Sequence, residues 1–592
     1  MFGHSGNCLQ INLTKQTYSN FKLPQEILQK FLGGRGLGVY LLYKDKDIID
    51  PLNENSRIIL SVGPLTNTKV PTSGRSNLSY RSPLTGLITD ANAGGRLGVN
   101  IKGCGYDAII IEGKAKYMQI LHITKNGVQF INAEGLRQKT TSETQDYLKQ
   151  KFGTKCSTAL IGPAGENGVL FSTVSVDGKR NFGRGGAGAV WGAKNLKAIV
   201  VDGELKTNIC DEEKFEFFLN EIKKQISAHP ITSKALPEFG TSMLVNVINA
   251  AGALPAYNFQ ENFTEDAKNV SGEVLSSKYL TGRYACFNCP IACGRKTIIE
   301  NREEHGPEYE TIYALGTACG IFNLQSIIMA NYLCNLLGLD TISTGVTIAC
   351  AMEMYQKGYI TEKISFGDSN VQSELIQDIA YKKGIGAKLA NGSKKFAEEY
   401  GHPEIAMHVK GLELPAYDPR AAQAQGLAYA TSNRGGCHLR ANMAAPEILG
   451  VPKMIDREAV HGKAGLLIVM QHSAAIFDSL ILCKFAGFAL TEEFLARILT
   501  AVCGINFEPM DLQKIGERIW NAERIFNLRA GLNPWQDDTL PNRLLNETAK
   551  KGPSSGKIVN LKPMLEEYYR FRSWDTQGIP TKEKLTELGL EL

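Results

Sequence analysis

Short apolar runs bounded by turn residues dominate the first 200 or so residues of the chain. The runs at 57–62 and 107–111 have the length and the flanking residues of buried strands. Two further apolar segments flank Asn126-Gly127, the strongest short signal of a β-hairpin. Additional strands are predicted at 159–161, 169–171 and 198–201. The pattern therefore predicts a β-rich first domain over residues 1–208.

After residue 208 the apolar residues adopt the spacing of helices. Asp211 opens a segment with an acidic first turn, which favours a helix N-terminus. Its apolar residues share one helical face: Phe215, Phe218, Leu219, Ile222 and Ile226. Most of 320–400 and 455–532 has the same pattern. The predicted fold class is α+β, with the β-rich domain followed by two mostly α-helical domains, 209–406 and 407–592.

Composition narrows the classes of function. A chain of 592 residues is long enough to form several domains with large cores. The net charge of +5, from 65 basic and 60 acidic residues, is too small to indicate a nucleic-acid partner. No apolar run approaches the ~20 residues of a membrane-spanning helix, and the first residues lack a secretory signal. Thirteen scattered cysteines do not form a secreted disulfide framework, which favours a cytoplasmic protein.

Four segments rich in glycine and arginine interrupt the predicted strands. They are 33–36 (GGRG), 72–77 (TSGRSN), 90–96 (DANAGGR) and 180–186 (RNFGRGG). Glycine allows close approach of a ligand to the backbone, exposed N–H groups form anion-binding nests, and arginine binds phosphate. For any one segment taken singly, a tight turn with a solvated arginine is the favoured interpretation. Four in one domain favour a large phosphorylated ligand, although neither the P-loop nor the dinucleotide fingerprint is present.

A run of three cysteines is the clearest chemical motif. Cys286, Cys289 and Cys293 are spaced two and then three residues apart, so their thiolates can converge on one soft metal centre. An iron–sulfur cubane takes four cysteines, often a tight group with a remote fourth. Tetrahedral zinc also takes four ligands but most simply uses two paired knuckles, which this chain lacks. Iron–sulfur is the favoured interpretation, with zinc and buried structural thiols as alternatives.

Two six-residue modules resemble each other. They are 335–340 (NLLGLD) and 478–483 (DSLILC). The second ends in Cys483, which is a natural fourth ligand for a cluster. Without the three-cysteine run, a small buried apolar residue would be the default interpretation of this cysteine.

A carboxylate and an imidazole are candidates for acid–base chemistry. Pro307 suits the start of a helix, which would place Glu310 in a first turn. His438 lies among glycines and arginines in the segment 433–440. Such a pair is common in general acid–base catalysis near neutral pH. On the local sequence alone, a structural or surface position is the favoured interpretation for each of the two residues.

The chain resembles the tungsten-containing aldehyde:ferredoxin oxidoreductase family over nearly its whole length. The matching segments are 63–66 (GPLT), 71–75 (PTSGR), 82–86 (SPLTG), 161–167 (IGPAGEN), 192–198 (GAKNLKA), 306–310 (GPEYE), 338–343 (GLDTIS), 414–420 (LPAYDPR) and 433–438 (NRGGCH). So many matches in the same order leave little room for chance.

The resemblance implies a set of cofactors and the residues that hold them. The β domain would carry a tungsten or molybdenum bis-pterin, with Mg²⁺ linking the two pterin phosphates at the backbone carbonyls of Asn92 and Asn181. Residues matching the family's pterin and phosphate contacts are Arg75, Asn92, Gly94, Arg180, Asn181, Gly183, Arg184, Asn335, Asp340, Arg434, His438, Arg440, Asp478 and Leu482. Cys286, Cys289, Cys293 and Cys483 match the four ligands of a 4Fe-4S cluster.

The implied activity is oxidation of aldehydes to carboxylic acids with water as the oxygen source. Electrons would pass through the cluster to ferredoxin or an iron–sulfur partner subunit. Glu310 is the expected base on the attacking water, and His438 is expected to orient the aldehyde oxygen or donate a proton. The alternatives are a reductase of the same family within an iron–sulfur and flavin complex, and a non-catalytic electron-transfer protein. The substrate, the acceptor and the choice between homodimer and heteromer stay open.

Three positions depart from the family pattern. Asn335 stands where aspartate is common, and Leu480-Ile481 stands where Ala-Gly is expected. Cys319 draws attention because a cysteine ligates tungsten in ring-reducing members. A buried structural thiol is the favoured interpretation of Cys319.

Overall fold

The computed structural model describes residues 1–300 and 302–592. The strands of the first sheet are β1 (Asn7–Asn12), β2 (Thr17–Lys22), β3 (Ile58–Ser61), β4 (Ser76–Arg81), β5 (Ile88–Ala93) and β6 (Ala108–Glu112). Their order across the sheet is β2-β1-β6-β3-β4-β5. Only β1 and β6 pair in parallel; the other neighbours are antiparallel.

A second six-stranded sheet follows along the chain. Its strands are β7 (Gln119–Thr124), β8 (Gly127–Asn132), β9 (Ser157–Leu160), β10 (Val174–Val176), β11 (Arg180–Phe182) and β12 (Leu196–Asp202). Their order is β11-β10-β9-β12-β7-β8. The predicted hairpin is confirmed: β7 and β8 pair across a turn at Lys125-Asn126, and Gly127 begins β8 opposite Thr124.

The two sheets pack face to face around a shared core. In β6, Ile109 and Ile111 point into this core, whereas Ala108 and Ile110 point to the opposite face and pack against helices. This alternation follows from the two-residue period of a strand. Because both faces are buried, the run at 107–111 is continuously apolar rather than alternating.

One predicted strand is absent, and one predicted loop is a helix. Residues 169–171 form a buried turn in which Leu170 donates its N–H to the carbonyl of Ala390. This run is apolar because it packs against the helical part of the chain, and not because it pairs in a sheet. Segment 33–36 begins a helix, and Arg35 is buried with two hydrogen bonds to Glu523, at 2.7 and 2.8 Å.

Six α-helices accompany the sheets. They are α1 (Gln25–Phe31), α2 (Gly34–Tyr43), α3 (Leu97–Gly103), α4 (Thr141–Phe152), α5 (Pro163–Glu166) and α6 (Ala187–Ala193). Helix α4 begins with a capping box in which Thr140 and Glu143 bond each other's backbone N–H. The first 202 residues are nevertheless rich in sheet, as predicted.

The rest of the chain is mostly helical. Its helices are α7 (Glu212–Ala228), α8 (Leu236–Phe239), α9 (Leu244–Ala250), α10 (Gly272–Lys278), α11 (Tyr309–Leu315), α12 (Leu324–Leu337), α13 (Thr341–Gln356), α14 (Ser369–Tyr381), α15 (Gly386–Leu389), α16 (Ser393–Glu399), α17 (Gln423–Thr431), α18 (Lys463–Leu480), α19 (Glu492–Cys503), α20 (Pro509–Arg529), α21 (Pro534–Asp537), α22 (Asn542–Asn546), α23 (Leu561–Phe571) and α24 (Lys582–Leu588). Helix α7 begins after its cap Asp211 and buries the predicted apolar face, with Phe218 only half-buried. The predicted α+β class is confirmed.

Two small sheets interrupt the helices. A three-stranded sheet consists of β13 (Leu280–Tyr284), β14 (Gly294–Ile299) and β15 (Arg302–His305), and a two-stranded ladder consists of β16 (His408–Val409) and β17 (Leu412–Glu413). The loop between β13 and β14 carries the three-cysteine run. Within the described ranges no single helix is long and apolar enough to cross a membrane. The segments Tyr309–Cys319 and Leu324–Leu337 reach the required length and composition only when taken together, and the chain bends by 115° between them.

Candidate active site

A cavity of about 470 Å³ lies where the edge strands β5 and β11 meet the helical part of the chain. It brings together residues that are far apart in sequence. The predicted site residues that line it are Arg75, Asn92, Gly94, Arg180, Asn181, Gly183, Arg184, Cys286, Cys289, Cys293, Glu310, Asn335, Asp340, Arg434, His438, Arg440, Asp478 and Cys483. Leu482 is not among the lining residues and packs its side chain in a hydrophobic core.

Backbone hydrogen bonds dock the cysteine loop onto the β-rich part. The N–H of Phe287 donates to the carbonyl of Gly95 at 3.2 Å. Thr72 donates its N–H to Asn288 at 2.9 Å and accepts the N–H of Cys483 at 3.2 Å. Thr72 therefore joins the loop that carries three cysteines to the remote fourth one. All four thiols are half-buried and face the same cavity.

The four thiols lie around one cavity, as the expected four-cysteine cluster requires. No three His, Cys, Asp or Glu side chains within the described chain are grouped as ligands of one metal ion. Thiolates that hold a cubane bind different irons, so they stand farther apart than four ligands of one zinc ion. Burial, with the neighbouring Cys483, raises the pKa of Cys289 to about 11. The thiol of Cys289 therefore becomes a thiolate only when a cation compensates its charge.

Gly94 allows the cysteine loop to approach the β-rich part. A Cβ at this position would lie 2.4 Å from Sγ of Cys286, and packed interiors leave no room for such a contact. We expect Gly94→Ala to displace Cys286 and to lower the iron content of the purified protein by roughly half or more. Iron analysis and visible absorbance would measure this. Gly135→Ala is the matched control, because a Cβ at Gly135 meets no atom within 4 Å; equal iron in both variants would contradict the expectation.

The two six-residue modules meet the β strands in the same way. Asn92 on β5 donates its side-chain N–H to Asp478, the first residue of one module, at 2.7 Å. Asn181 on β11 donates likewise to Asn335, the first residue of the other module, at 2.9 Å. The substitution of asparagine for aspartate at 335 therefore retains an acceptor for Asn181. The cavity has two similar halves, each with an asparagine on an edge strand and a module beside it.

An arginine also lies near the last residue of each six-residue module. Arg184 lies 3.3 Å from the carboxylate of Asp340, the last residue of its module. Arg75 lies 4.0 Å from Sγ of Cys483, the last residue of the other module. Two similar halves, each with an arginine and an asparagine, are the arrangement expected for two copies of one anionic ligand.

Cationic side chains outnumber acidic ones around the cavity. The cations are Arg75, Lys179, Arg180, Arg184, Arg434, Arg440 and Lys484, and the acidic residues are Asp90, Glu308, Glu310, Asp340 and Asp478. Asp90 is hydrogen-bonded by Arg440, and Arg434 donates to its carbonyl at 2.5 Å. Although burial opposes ionisation, Arg440, Arg35 and Arg434 lower the pKa of Asp90 to about 2. The excess of positive charge favours an anionic ligand.

Several buried polar atoms at the cavity have no hydrogen-bond partner among the described residues. They are Oγ1 of Thr72, Nδ1 of His305, Oε1 of Glu310, Nε of Arg434, Nδ1 of His438 and Oδ1 of Asn442. Buried polar groups in native proteins are almost always paired. Their concentration here indicates that a polar ligand completes the site.

Glu310 and His438 face each other across this cavity. Glu310 lies in the first turn of α11, and its Oε2 accepts the N–H of Ala416 at 2.9 Å. Its Oε1 lies 3.5 Å from Nε2 of His438. The exposed fraction of the two side chains is only 15% and 12%, and both line the cavity. The pair predicted from sequence is therefore brought together.

Burial sets the protonation states of the pair. Burial raises the pKa of Glu310 to about 8, against the opposing effects of the Ala416 N–H and of Arg184. Burial, together with Arg184 and Arg434, lowers the pKa of His438 to about 3. The imidazole is therefore neutral throughout the physiological range, whereas the carboxyl exchanges its proton near pH 8. A carboxyl with such a raised pKa is typical of a general base.

Other residues of interest fall inside and outside the cavity. Cys319 is buried, with its thiol near the carbonyls of Ala314 and Gly345, and it does not line the cavity. Asp90, Tyr417 and Asn442 do line it. Asp90 and Tyr417 lie within segments that the sequence singled out, but nothing in the local sequence distinguishes Asn442.

Comparisons with known proteins identify the family. The model of the aldehyde ferredoxin oxidoreductase N-terminal domain matches residues 8–203, and the model of domains 2 and 3 of that enzyme matches residues 218–590. A tungsten-containing aldehyde ferredoxin oxidoreductase of Pyrococcus furiosus is 46% identical over 100% of this chain and 99% of its own length. The protein of the same description from Thermococcus kodakarensis is 45% identical with the same coverage.

A solved structure shares the fold. The active-site complex BamBC of benzoyl coenzyme A reductase aligns with a TM-score of 0.86, covering 100% of this chain and 97% of that one. At 23% identity this likeness concerns the fold alone. With both family models matched in order and relatives 45–46% identical along the whole chain, this protein belongs to the aldehyde ferredoxin oxidoreductase family.

Proposed function

We propose that this protein oxidises aldehydes to carboxylic acids, with water as the oxygen source, and passes the electrons to ferredoxin or a similar iron–sulfur acceptor. The main support is a single cavity that is lined by Glu310, His438 and four cysteine thiols. The same cavity has two similar halves that are suited to anionic ligands. Relatives 44–46% identical over the full chain bear the name tungsten-containing aldehyde ferredoxin oxidoreductase.

A tungsten bis-pterin fits the two halves of the cavity, with molybdenum as the chemically similar alternative. Arg75 and Arg184 would bind the phosphates, and Asn92 and Asn181 would hold Mg²⁺ through their carbonyls. The carbonyl of Asn92 already accepts a hydrogen bond from Arg75 at 2.6 Å, which leaves its second lone pair for the ion. When bound, the cofactor supplies two-electron redox chemistry, and the protein supplies binding, orientation and charge.

A 4Fe-4S cluster fits the four thiols. Cys286, Cys289 and Cys293 provide the tight group and Cys483 the remote ligand, as cubane sites commonly require.

All thirteen cysteines are free thiols, which supports a reducing, cytoplasmic location. The proposed domains are 1–208, 209–406 and 407–592; the end of β12 at Asp202 and the start of α7 at Glu212 support the first boundary.

Glu310 and His438 divide the proton chemistry. In its ionised form Glu310 removes a proton from the attacking water at Oε1, the carboxylate oxygen that has no other partner. His438 is neutral, so one of its ring nitrogens carries a proton that can be donated to the aldehyde oxygen. Met243, Leu244 and Leu439 add apolar side chains to the lining of the same cavity.

A second candidate is reduction within a multi-subunit complex. The BamBC complex of benzoyl coenzyme A reductase shares the fold of this chain, but that likeness carries no function over to it. That structure is only 23% identical, whereas the aldehyde-oxidising relatives are twice as similar over the same length. Cys319, the residue that would link this chain to ring reduction, lies outside the cavity lining. Aldehyde oxidation is therefore the better-supported function.

Metal analysis of anaerobically purified protein tests the cofactor assignment. We expect about one tungsten or molybdenum and about four irons per chain. Iron without tungsten or molybdenum, in protein from its native host, would overturn the assignment and leave the electron-transfer alternative. About one zinc and no iron would contradict the cluster.

A further inference from the structure

Three buried tyrosine hydroxyls hold one short segment beside the cavity. Tyr309 donates to the carbonyl of Ala416 at 2.7 Å, and Tyr313 donates to that of Leu414 at 3.2 Å. Tyr429, on α17, donates to the carbonyl of Tyr417 at 3.2 Å. Burial raises the pKa values of the three tyrosines well above their usual range, so the hydroxyls stay protonated donors.

The same segment returns a hydrogen bond to the helix that holds it. The N–H of Ala416 donates to Oε2 of Glu310, which is the residue after Tyr309 on α11. Tyr313 lies one turn farther along that helix. The carbonyls on both sides of the Ala416 N–H are thus fixed, and Pro415 between them has a restricted φ. The direction of this N–H is therefore set by the tyrosines.

We propose that Tyr309, Tyr313 and Tyr429 are positioning residues for Glu310. By holding the segment 414–417, they keep the Ala416 N–H on one carboxylate oxygen and leave the other free toward His438 and the cavity. This inference rests on the proposed role of Glu310 as the base. Tyr309 lines the cavity, whereas Tyr313 and Tyr429 do not, and all three act on Glu310 through the segment.

The hydrogen bond from Ala416 favours the charged form of Glu310 and so opposes the effect of burial. Arg184 acts in the same direction, whereas Cys437 and Asp340 act in the opposite one. The titratable and charged groups that face Glu310 are Arg184, Tyr309, Tyr313, Asp340, Tyr417, Tyr429, Cys437 and His438. Loosening the segment removes the one backbone donor among these contacts. The proton affinity of Glu310 must then rise.

The test uses Tyr309→Phe in the complete enzyme. In the wild type kcat/KM rises with pH through the ionisation of Glu310 near pH 8, because the base acts when deprotonated. In the variant this ascending limb moves about half a unit to one unit toward alkaline pH, which lowers kcat/KM at neutral pH by about three- to tenfold. At pH well above the limb the two enzymes converge.

A second readout does not depend on activity. Hydrogen exchange of the peptide covering 412–418 reports the protection of the Ala416 N–H in protein with or without cofactor. We expect faster exchange there in Tyr309→Phe. Tyr429→Phe removes the hydrogen bond on the other side of the segment and replaces the first variant if that one does not fold.

Tyr568→Phe is the matched control. Tyr568 is also fully buried, and its hydroxyl donates to Gln471 at 2.8 Å, outside the cavity. This variant loses that hydrogen bond and the one that the hydroxyl accepts from Nε of Arg572 at 3.0 Å, yet it should leave the pH profile unchanged. An unshifted profile with unchanged exchange in Tyr309→Phe, or an equal shift in Tyr568→Phe, would overturn the proposal. If the wild type oxidised no aldehyde, the proposed function would fail instead, and the exchange experiment would still decide whether the tyrosines hold the segment.

Discussion

Glu310→Gln is expected to lower kcat for aldehyde oxidation by about 10²- to 10⁴-fold, the contribution typical of a general base. The amide side chain has nearly the same shape as the carboxylate. Its oxygen can still accept the N–H of Ala416, so the local structure should persist. It has no basic oxygen to take the proton of the attacking water. Metal contents should equal those of the wild type.

The control for this variant is a buried carboxyl elsewhere. Burial also raises the pKa of Glu447, which pairs with Lys463 at 2.8 Å outside the cavity. Glu447→Gln should therefore keep most of the activity, even if it lowers the melting temperature. Steady-state kinetics on both variants, with tungsten and iron measured in parallel, make the comparison. Wild-type turnover in a fully loaded Glu310→Gln would exclude the carboxylate as the base.

Cys483→Ser is the second substitution with a large expected effect. Its thiol is the remote ligand in the cluster assignment, and serine is a poor donor for the soft metal centre. We expect iron to fall from about four to below about one atom per chain. Electron transfer to an external acceptor should fall with it, because the cluster is the proposed exit for electrons. Iron analysis and visible absorbance of anaerobic protein measure the effect.

Cys319→Ser controls for the general loss of a thiol. Cys319 is fully buried but lies outside the cavity lining. We expect this variant to keep its iron and its absorbance while losing some stability, because the site is apolar. Retention of a complete cluster in Cys483→Ser would remove Cys483 from the ligand set. Loss of tungsten in Cys319→Ser would revive the ring-reductase alternative.

Local sequence patterns were sufficient for much of the fold. Asn126-Gly127 predicts a hairpin because its backbone preferences match the turn, and β7 and β8 flank it. The apolar period after Asp211 predicts α7, since burial of one face stabilises the helix. These signals depend on a few neighbouring residues only. These patterns can therefore be recognised without knowledge of the rest of the chain.

Features decided by distant contacts could not be predicted in this way. The apolar run at 169–171 has the composition of a strand but is buried by helices that follow much later in the chain. For Arg35 the sequence suggests either a solvated side chain or a ligand contact, yet this residue is buried and pairs with Glu523, almost 500 residues away. Ile481, in place of the expected glycine, adopts a left-handed conformation with φ of 62°, which a β-branched residue rarely adopts.

In the candidate site, too, some features follow from the local sequence and others depend on distant contacts. The spacing of Cys286, Cys289 and Cys293 is typical of metal-binding cysteines, so the sequence alone predicts a metal centre there, and the structure places the three residues on one cavity. Nothing in the local sequence around Tyr309 or Tyr429 indicates that both hold the segment 414–417. The assigned roles of the individual site residues stay predictions, to be tested by the variants above.

The most direct test of the central claim is aldehyde-dependent reduction of a viologen by anaerobic holoenzyme, with the organic product quantified. We expect a carboxylic acid and about two reduced viologens per aldehyde consumed, because the oxidation of one aldehyde releases an electron pair. The panel should contain aliphatic and aromatic aldehydes of increasing size. Protein that carries tungsten and iron, yet yields no carboxylic acid from any of them, would contradict the account.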